Sequence, residues 1–91
     1  MIKTIWKFAL ESASYNDVTM PTDSEILCLQ LQNNTPCLWA LVDPDLERPR
    51  ITRRFVITGT GHDLAIKLSK RDYIGTFQIP GLVFHVFEVQ Q

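Results

Sequence analysis

The chain has no apolar run near the ~20 residues that a membrane-spanning helix needs. Its opening, Met1–Phe8, alternates polar and apolar residues where a secretory signal would carry a continuous apolar block. A cytoplasmic protein with no membrane partner is the expectation. An excess of either charge is also missing. Nine Lys and Arg stand against ten Asp and Glu, for a net charge of −1. Duplex nucleic acid needs a basic face, so it is excluded as the expected partner. Cysteine is scarce, with Cys28 and Cys37 alone. Both fall inside strand patterns and are expected to be reduced, buried, small hydrophobes. A disulfide between them is sterically conceivable if their strands form a hairpin.

Residues that carry chemistry are few. His62 and His85 are the only histidines, and no Cys or His spacing resembles a zinc motif. Strand alternation puts His85 and Glu88 on opposite faces, so they are no ligand pair. His85 is expected to be a core or interface histidine with a satisfied ring. Neither cysteine sits where a thiolate is stabilised, and no serine has a nucleophile-elbow context. Asp43, Asp45 and Glu47 share one loop and read as its solvating charges. The expectation is a protein that is not an enzyme, with no metal and no cofactor. A nucleotide hydrolase using His62 or His85 as acid–base remains a third reading.

What the chain does have is a period of two. Residues 2–10 alternate, with Trp6, Phe8 and Leu10 on one face. A turn-like stretch, 11–16, leads to a short strand near Asp17–Met20. Residues 25–33 put Leu27, Leu29 and Leu31 on one face and Ile26, Cys28, Gln30 and Gln32 on the other. Asn33-Asn34-Thr35-Pro36 is a strong turn, and residues 37–43 return, so 25–43 reads as a hairpin. Further strands cover 51–58, 73–79 and 82–90, the last two joined by Pro80-Gly81. Residues 62–72 read as a short helical turn or a long loop. With 91 residues the chain makes one domain. It is expected to be all-β, a small antiparallel sandwich or barrel of six to seven strands.

Strands 25–32, 37–43 and 82–89 are apolar on both faces, whereas a half-exposed antiparallel strand alternates. Cover for the second face points to a homo-oligomer, with a twofold dimer as the simplest form.

Two glycine-containing segments stand out. Thr58-Gly59-Thr60-Gly61-His62 ends one strand, and Tyr73-Ile74-Gly75-Thr76-Phe77-Gln78 forms another. Glycine lets a partner approach the main chain, and the flanking Thr, His and Gln side chains donate and accept hydrogen bonds. The first segment could offer backbone N–H groups to an anion. It is not a Walker or dinucleotide fingerprint, because the glycine spacing and following helix are absent. Arg48, Arg50, Arg53 and Arg54 supply forks for carboxylate or phosphate. Arg53 and Arg54 point to opposite faces if their segment is a strand. Trp39, Tyr73 and Phe77 are candidate stacking surfaces for a planar base.

Several segments together resemble a family of short uncharacterised phage and prophage accessory proteins. They are Ile2–Phe8, Met20-Pro21 with Glu25-Ile26-Leu27, Thr35–Pro44, Gly59–His62, Tyr73–Gln78 and Leu82–Glu88. The resemblance implies a setting in which small proteins counter host defences by inhibiting a host protein or sequestering a nucleotide signal. The resulting expectation is a non-enzymatic protein that binds and sequesters a small anionic, nucleotide-like ligand. Its expected contacts are Trp39, Arg53, Arg54, Thr60, His62, Tyr73 and Thr76. The alternative is an interaction module that inhibits or bridges a host protein through its second apolar face or a sheet edge.

Overall fold

Period-two segments separated by turn residues pair into antiparallel sheets, and the computed structural model, which describes residues 2–89, shows two of them. Among the described residues there are seven strands: β1 (Thr4–Ala9), β2 (Tyr15–Pro21), β3 (Glu25–Gln32), β4 (Thr35–Val42), β5 (Arg50–Gly59), β6 (Tyr73–Ile79) and β7 (Leu82–Val89). One sheet has the order β1-β4-β3 and the other β2-β5-β7-β6. They pack as a small β-sandwich, which decides between the two all-β forms. The ambiguous stretch 62–72 is mostly loop, ending in a 3-10 turn at Lys70–Asp72.

Alternation fills the space between the sheets. From the three-stranded sheet, Phe8 and Leu38 sit directly opposite each other and face inward. Met20, Phe55, Phe77 and Val86 come from the four-stranded sheet, and Leu10 closes the end of β1. Fully burying a side chain such as Leu38 or Phe55 is worth about 1.5–3 kcal/mol.

The β3–β4 hairpin turns at Asn33 and Asn34, with φ of 52° and 63°. Two consecutive left-handed residues make the tight turn that matches the natural strand twist, and asparagine tolerates that geometry.

The inward face of β3 differs from the simple alternation of its leucines. Ile26, Leu29 and Leu31 pack on the core, while Leu27 and Cys28 are exposed. The reason is a bulge. The pairing steps from Ile26↔Ala40 to Cys28↔Trp39, so one residue of β3 has no partner of its own and the count slips by one. The expectation for the cysteines is corrected at Cys28, which shares the outward face of Gln30 and Gln32. Cys37 is buried, but Cys28 is exposed, and both are free thiols. Cys28 sits opposite Trp39 and Cys37 opposite Gln30, so the two are offset along the hairpin.

An ion pair reaches the inward side of the four-stranded sheet. Arg53 donates from Nε and Nη2 to the two Glu88 oxygens at 2.6 and 2.7 Å. Its Nη1 donates to the Ser24 carbonyl at 2.7 Å. Ser24 in turn donates to the Pro21 carbonyl at 2.6 Å. The arginine thereby ties β5, β7 and the β2–β3 turn together. Its side chain and that of Glu88 are only 21% and 17% exposed. Removing one partner strands the other, at a cost of about 3–5 kcal/mol for a fully buried pair. Arg53→Ala is therefore expected to lower unfolding stability by about 3 kcal/mol, the low end of that range. Arg53→Met with Glu88→Leu should recover most of the loss. Urea unfolding of the three proteins checks this, and a double variant no more stable than Arg53→Ala would refute it.

Candidate functional site on the outer face of the four-stranded sheet

The outward side chains of β2, β5, β7 and β6 form three rows. In the first, Thr58, His85 and Thr76 lie side by side on β5, β7 and β6. In the second, Tyr15, Val56, Phe87 and Tyr73 cross all four strands. In the third, Asp17, Arg54 and Val89 lie together.

His85 is the hub of the first row. Its Nε2 is 2.7 Å from Thr60 Oγ1. Its Nδ1 is 3.0 Å from the Tyr73 hydroxyl and 3.1 Å from Thr76 Oγ1. The Tyr73 and Thr76 hydroxyls are also hydrogen-bonded to each other. Neutral imidazole has one donor and one acceptor nitrogen, and hydroxyls serve as either, so both tautomers are satisfied.

Two local features bring these residues together. Thr60 lies just past β5, but its N–H donates to the Val83 carbonyl at 3.1 Å, which carries the pairing one step further. On β6 the pairing jumps from Tyr73↔Phe87 to Gly75↔Val86 and Thr76↔His85. Residues three apart on a regular strand face opposite ways. The extra residue restores the phase, so Tyr73 and Thr76 emerge on the same face. Gly75 is where this bulge meets the other sheet. A Cβ there would lie 3.4 Å from Leu29 Cδ2.

In the second row, Tyr73 meets the Phe87 ring edge-on, with centroids 5.1 Å apart. Tyr15 stands at the far end, with the Arg54 guanidinium carbon 5.4 Å from its ring centre. Arg54 also donates from Nε and Nη2 to Asp17 at 2.8 and 3.1 Å. That hydrogen bond holds the Asp17 carboxyl below its ordinary range, against an opposing effect of burial and with the charge of Arg54 adding to it. The same contact raises Arg54.

Of the expected contacts, Arg54, Thr60, Tyr73 and Thr76 share this face. The other three lie elsewhere. Arg53 points inward to Glu88, as strand alternation against Arg54 requires. His62 lies at the open end of the sandwich, its ring seated against Gly59. Trp39 is on the outer face of the three-stranded sheet. The proposed stacking group does not assemble either, because Phe77 is buried and stacked on Phe84 with centroids 5.3 Å apart.

Residue-by-residue reading did not identify His85, Thr58 or Tyr15 as contacts. The ring of His85 is satisfied as expected, but by hydroxyls on the solvent side. An isolated glycine inside a strand pattern is a bulge signal, and Gly75 was the clue that Tyr73 and Thr76 share a face. Among the described residues no group of three His, Cys, Asp or Glu side chains could hold a metal ion.

The Asp17 carboxyl has a folded-state pKa below that of the unfolded chain. Whatever stability this contributes is present above the unfolded value, and it is lost as pH falls through the lower folded value. An NMR titration is expected to place the Asp17 midpoint below 3.8. Arg54→Ala should return it to about 3.9. An unmoved midpoint in the variant would show that Arg54 is not the cause.

No described helix is long and apolar enough to cross a membrane. Comparison with curated proteins and with solved structures returns no match. A family model does match, over residues 1–91, and its description is a domain of unknown function (DUF7352). The chain belongs to the DUF7352 family.

Proposed function

We propose that the protein is a non-catalytic binding module that holds a small anionic, nucleotide-like ligand on the outer face of the β2-β5-β7-β6 sheet. The observation that carries this reading is the placement of three complementary chemistries on one exposed face. Arg54 supplies a planar fork for phosphate. Tyr73 and Tyr15 offer rings for a base. The hydroxyls and imidazole around His85 offer donors and acceptors for base or sugar edges. Arg54 and Thr58 are four residues apart on β5, or about 13 Å along the strand. A nucleotide bridges that span from base to phosphate.

The pairing of Arg54 with Asp17 does not stand in the way. Both side chains are well exposed, at 44% and 49%, and exposed ion pairs contribute little. A phosphate can take the fork while Asp17 returns to water.

Binding fits this face better than hydrolysis. Thr60, His85 and Tyr73 form a hydroxyl–imidazole–hydroxyl chain of the kind that activates nucleophiles. The Thr60 N–H, however, is already committed to Val83. The face is also open, without the water-excluded setting in which an oxyanion is stabilised. The resemblance to phage accessory proteins fits this reading. Its setting would be the host cytoplasm, and its ligand a host immune signal.

A second reading rests on the outer face of the β1-β4-β3 sheet. Ile5 and Leu27 are 57% and 45% exposed there, beside half-buried Trp39 and Leu41. Lys7 and Glu25 lie on opposite edges of that face, so a twofold copy would set each against its opposite charge. The occupant this favours is a second copy of the chain, and a host protein is the other outcome.

A panel of linear and cyclic nucleotides tests the ligand. One member is expected to raise the melting temperature saturably and to be recovered intact. At a hundredfold excess over Kd the gain is about 2.7 kcal/mol. Arg54→Ala should weaken binding by about 10- to 100-fold, the worth of a charged hydrogen bond. A panel that leaves stability unchanged would end this reading. For the second reading, sedimentation equilibrium is expected to give a dimer that Ile5→Lys with Leu27→Lys converts to monomer. A monomeric wild-type protein at micromolar concentration would refute it.

A further inference from the structure

The two sheets do not close on each other at the end of the sandwich where β5 finishes. A cleft of about 560 Å³ opens there. That lies within the range of small-molecule sites, about 300–1,000 Å³. Its apolar floor on the four-stranded sheet is Ile57, Phe77, Ile79 and Phe84, with Pro36 of β4 facing them, and its edge is shared with Tyr15, Val56 and Thr58 of the outer face. The stacked rings of Phe77 and Phe84 make a flat floor, with an angle of 23° between them. Ile57, Ile79 and Phe84 are inward-facing yet only half-buried. They are core residues that the three-stranded sheet does not cover.

Two loops frame the opening, residues 11–14 before β2 and residues 62–66 after β5. His62 forms part of the lip. A Cβ on Gly59 would come within 2.9 Å of its ring, so glycine is what lets the ring lie flat against β5. The rim has a sign. Glu11 and Asp63 are both among the lining residues, and no Lys or Arg is. An anion is therefore disfavoured in this cleft, in contrast to the outer sheet face with Arg54.

We propose that this cleft is a second binding site, which takes an uncharged or cationic small molecule with an aromatic or branched hydrocarbon body. The apolar body lies on Phe77 and Phe84 and covers Ile57 and Ile79. Its polar or cationic end meets Glu11, Asp63 and the His62 ring at the rim. The ligand thus completes a core that the chain leaves open, and removing that apolar surface from water drives binding.

Two fluorescent probes test this: uncharged 1-aminoanthracene and the larger, anionic 1-anilinonaphthalene-8-sulfonate. The expected result is saturable binding of one equivalent of 1-aminoanthracene, with a blue shift, to protein that melts cooperatively. The sulfonate should bind at least about tenfold more weakly, because like charges across a contact are strongly disfavoured. Ala65→Trp, a substitution on the exposed loop, should block 1-aminoanthracene. Glu11→Lys with Asp63→Lys should remove or reverse the preference for the uncharged probe. A nucleotide in excess should leave 1-aminoanthracene bound, which keeps this site separate from the outer face. The proposal is overturned by non-saturable 1-aminoanthracene binding, by equal affinity for the sulfonate in the wild-type protein, by probe binding that neither set of variants alters, or by displacement with nucleotide.

Discussion

The most directional contact facing into the sandwich is the bidentate pair between Arg53 and Glu88. A small sandwich has little interior, and a charge facing into it must be fully partnered. Arg53 meets that demand with two carboxylate oxygens and the Ser24 carbonyl. The geometry does more than neutralise charge. It fixes β7 against β5 and anchors the turn through which the chain leaves the four-stranded sheet for β3. The apolar cluster of Leu10, Met20, Leu38, Phe55, Phe77 and Val86 is non-directional and would tolerate small slips. The guanidinium fork would not, because its donors are fixed in a plane.

Consecutive arginines on β5 thus meet opposite fates. Arg53 is held inward and fully used, whereas Arg54 faces outward with a partner it can release. A period of two makes this division unavoidable, and it lends the outer face a cationic fork while the interior keeps its own. The same rule makes bulges important. Each one resets the phase of a strand. The bulge in β3 turns Leu27 outward beside Cys28 and brings Ile26 to the core. The bulge in β6 brings Tyr73 and Thr76 to the same side as His85.

Those two bulges also mark where the sequence was legible and where it was not. Strand positions follow from alternation and turn residues, and the Asn33-Asn34 turn was readable because few other residues adopt two left-handed conformations in succession. The shared face of Trp6, Phe8 and Leu10 was readable from alternation, and Phe8 and Leu10 reach the core. Leu27 does not share the face of Leu29 and Leu31, because a bulge depends on pairing with β4, which local pattern does not report. Cys28 keeps the face of Gln30 and Gln32 that alternation gives it, and that face is open to solvent. Site residues were harder still. Arg54, Thr60, Tyr73 and Thr76 were picked out by chemistry, but so were Arg53, His62 and Trp39, which the fold distributes elsewhere. Side-chain type says what a residue can bind, and only register says which neighbours share its face. His85 was read as a satisfied histidine, which it is. Its partners come from β6 and from just beyond β5, separated from it by 9 to 25 residues.

Size accounts for the two kinds of surface on this protein. A chain of 91 residues buries a smaller fraction of its surface than a larger domain does. The three-stranded sheet does not cover Ile57, Ile79 and Phe84, which stay partly open at one end. The outer face of the four-stranded sheet is treated differently. Its aromatic row is flanked by a hydroxyl row on one side and by the Asp17–Arg54 pair on the other, so polar groups border the apolar surface there. A rim of that kind suits a ligand that is part ring and part polar. The open end has an apolar floor and an acidic lip, which suits a molecule of the opposite charge preference. The charge at each border therefore separates the two surfaces, although both arise from the same shortage of chain.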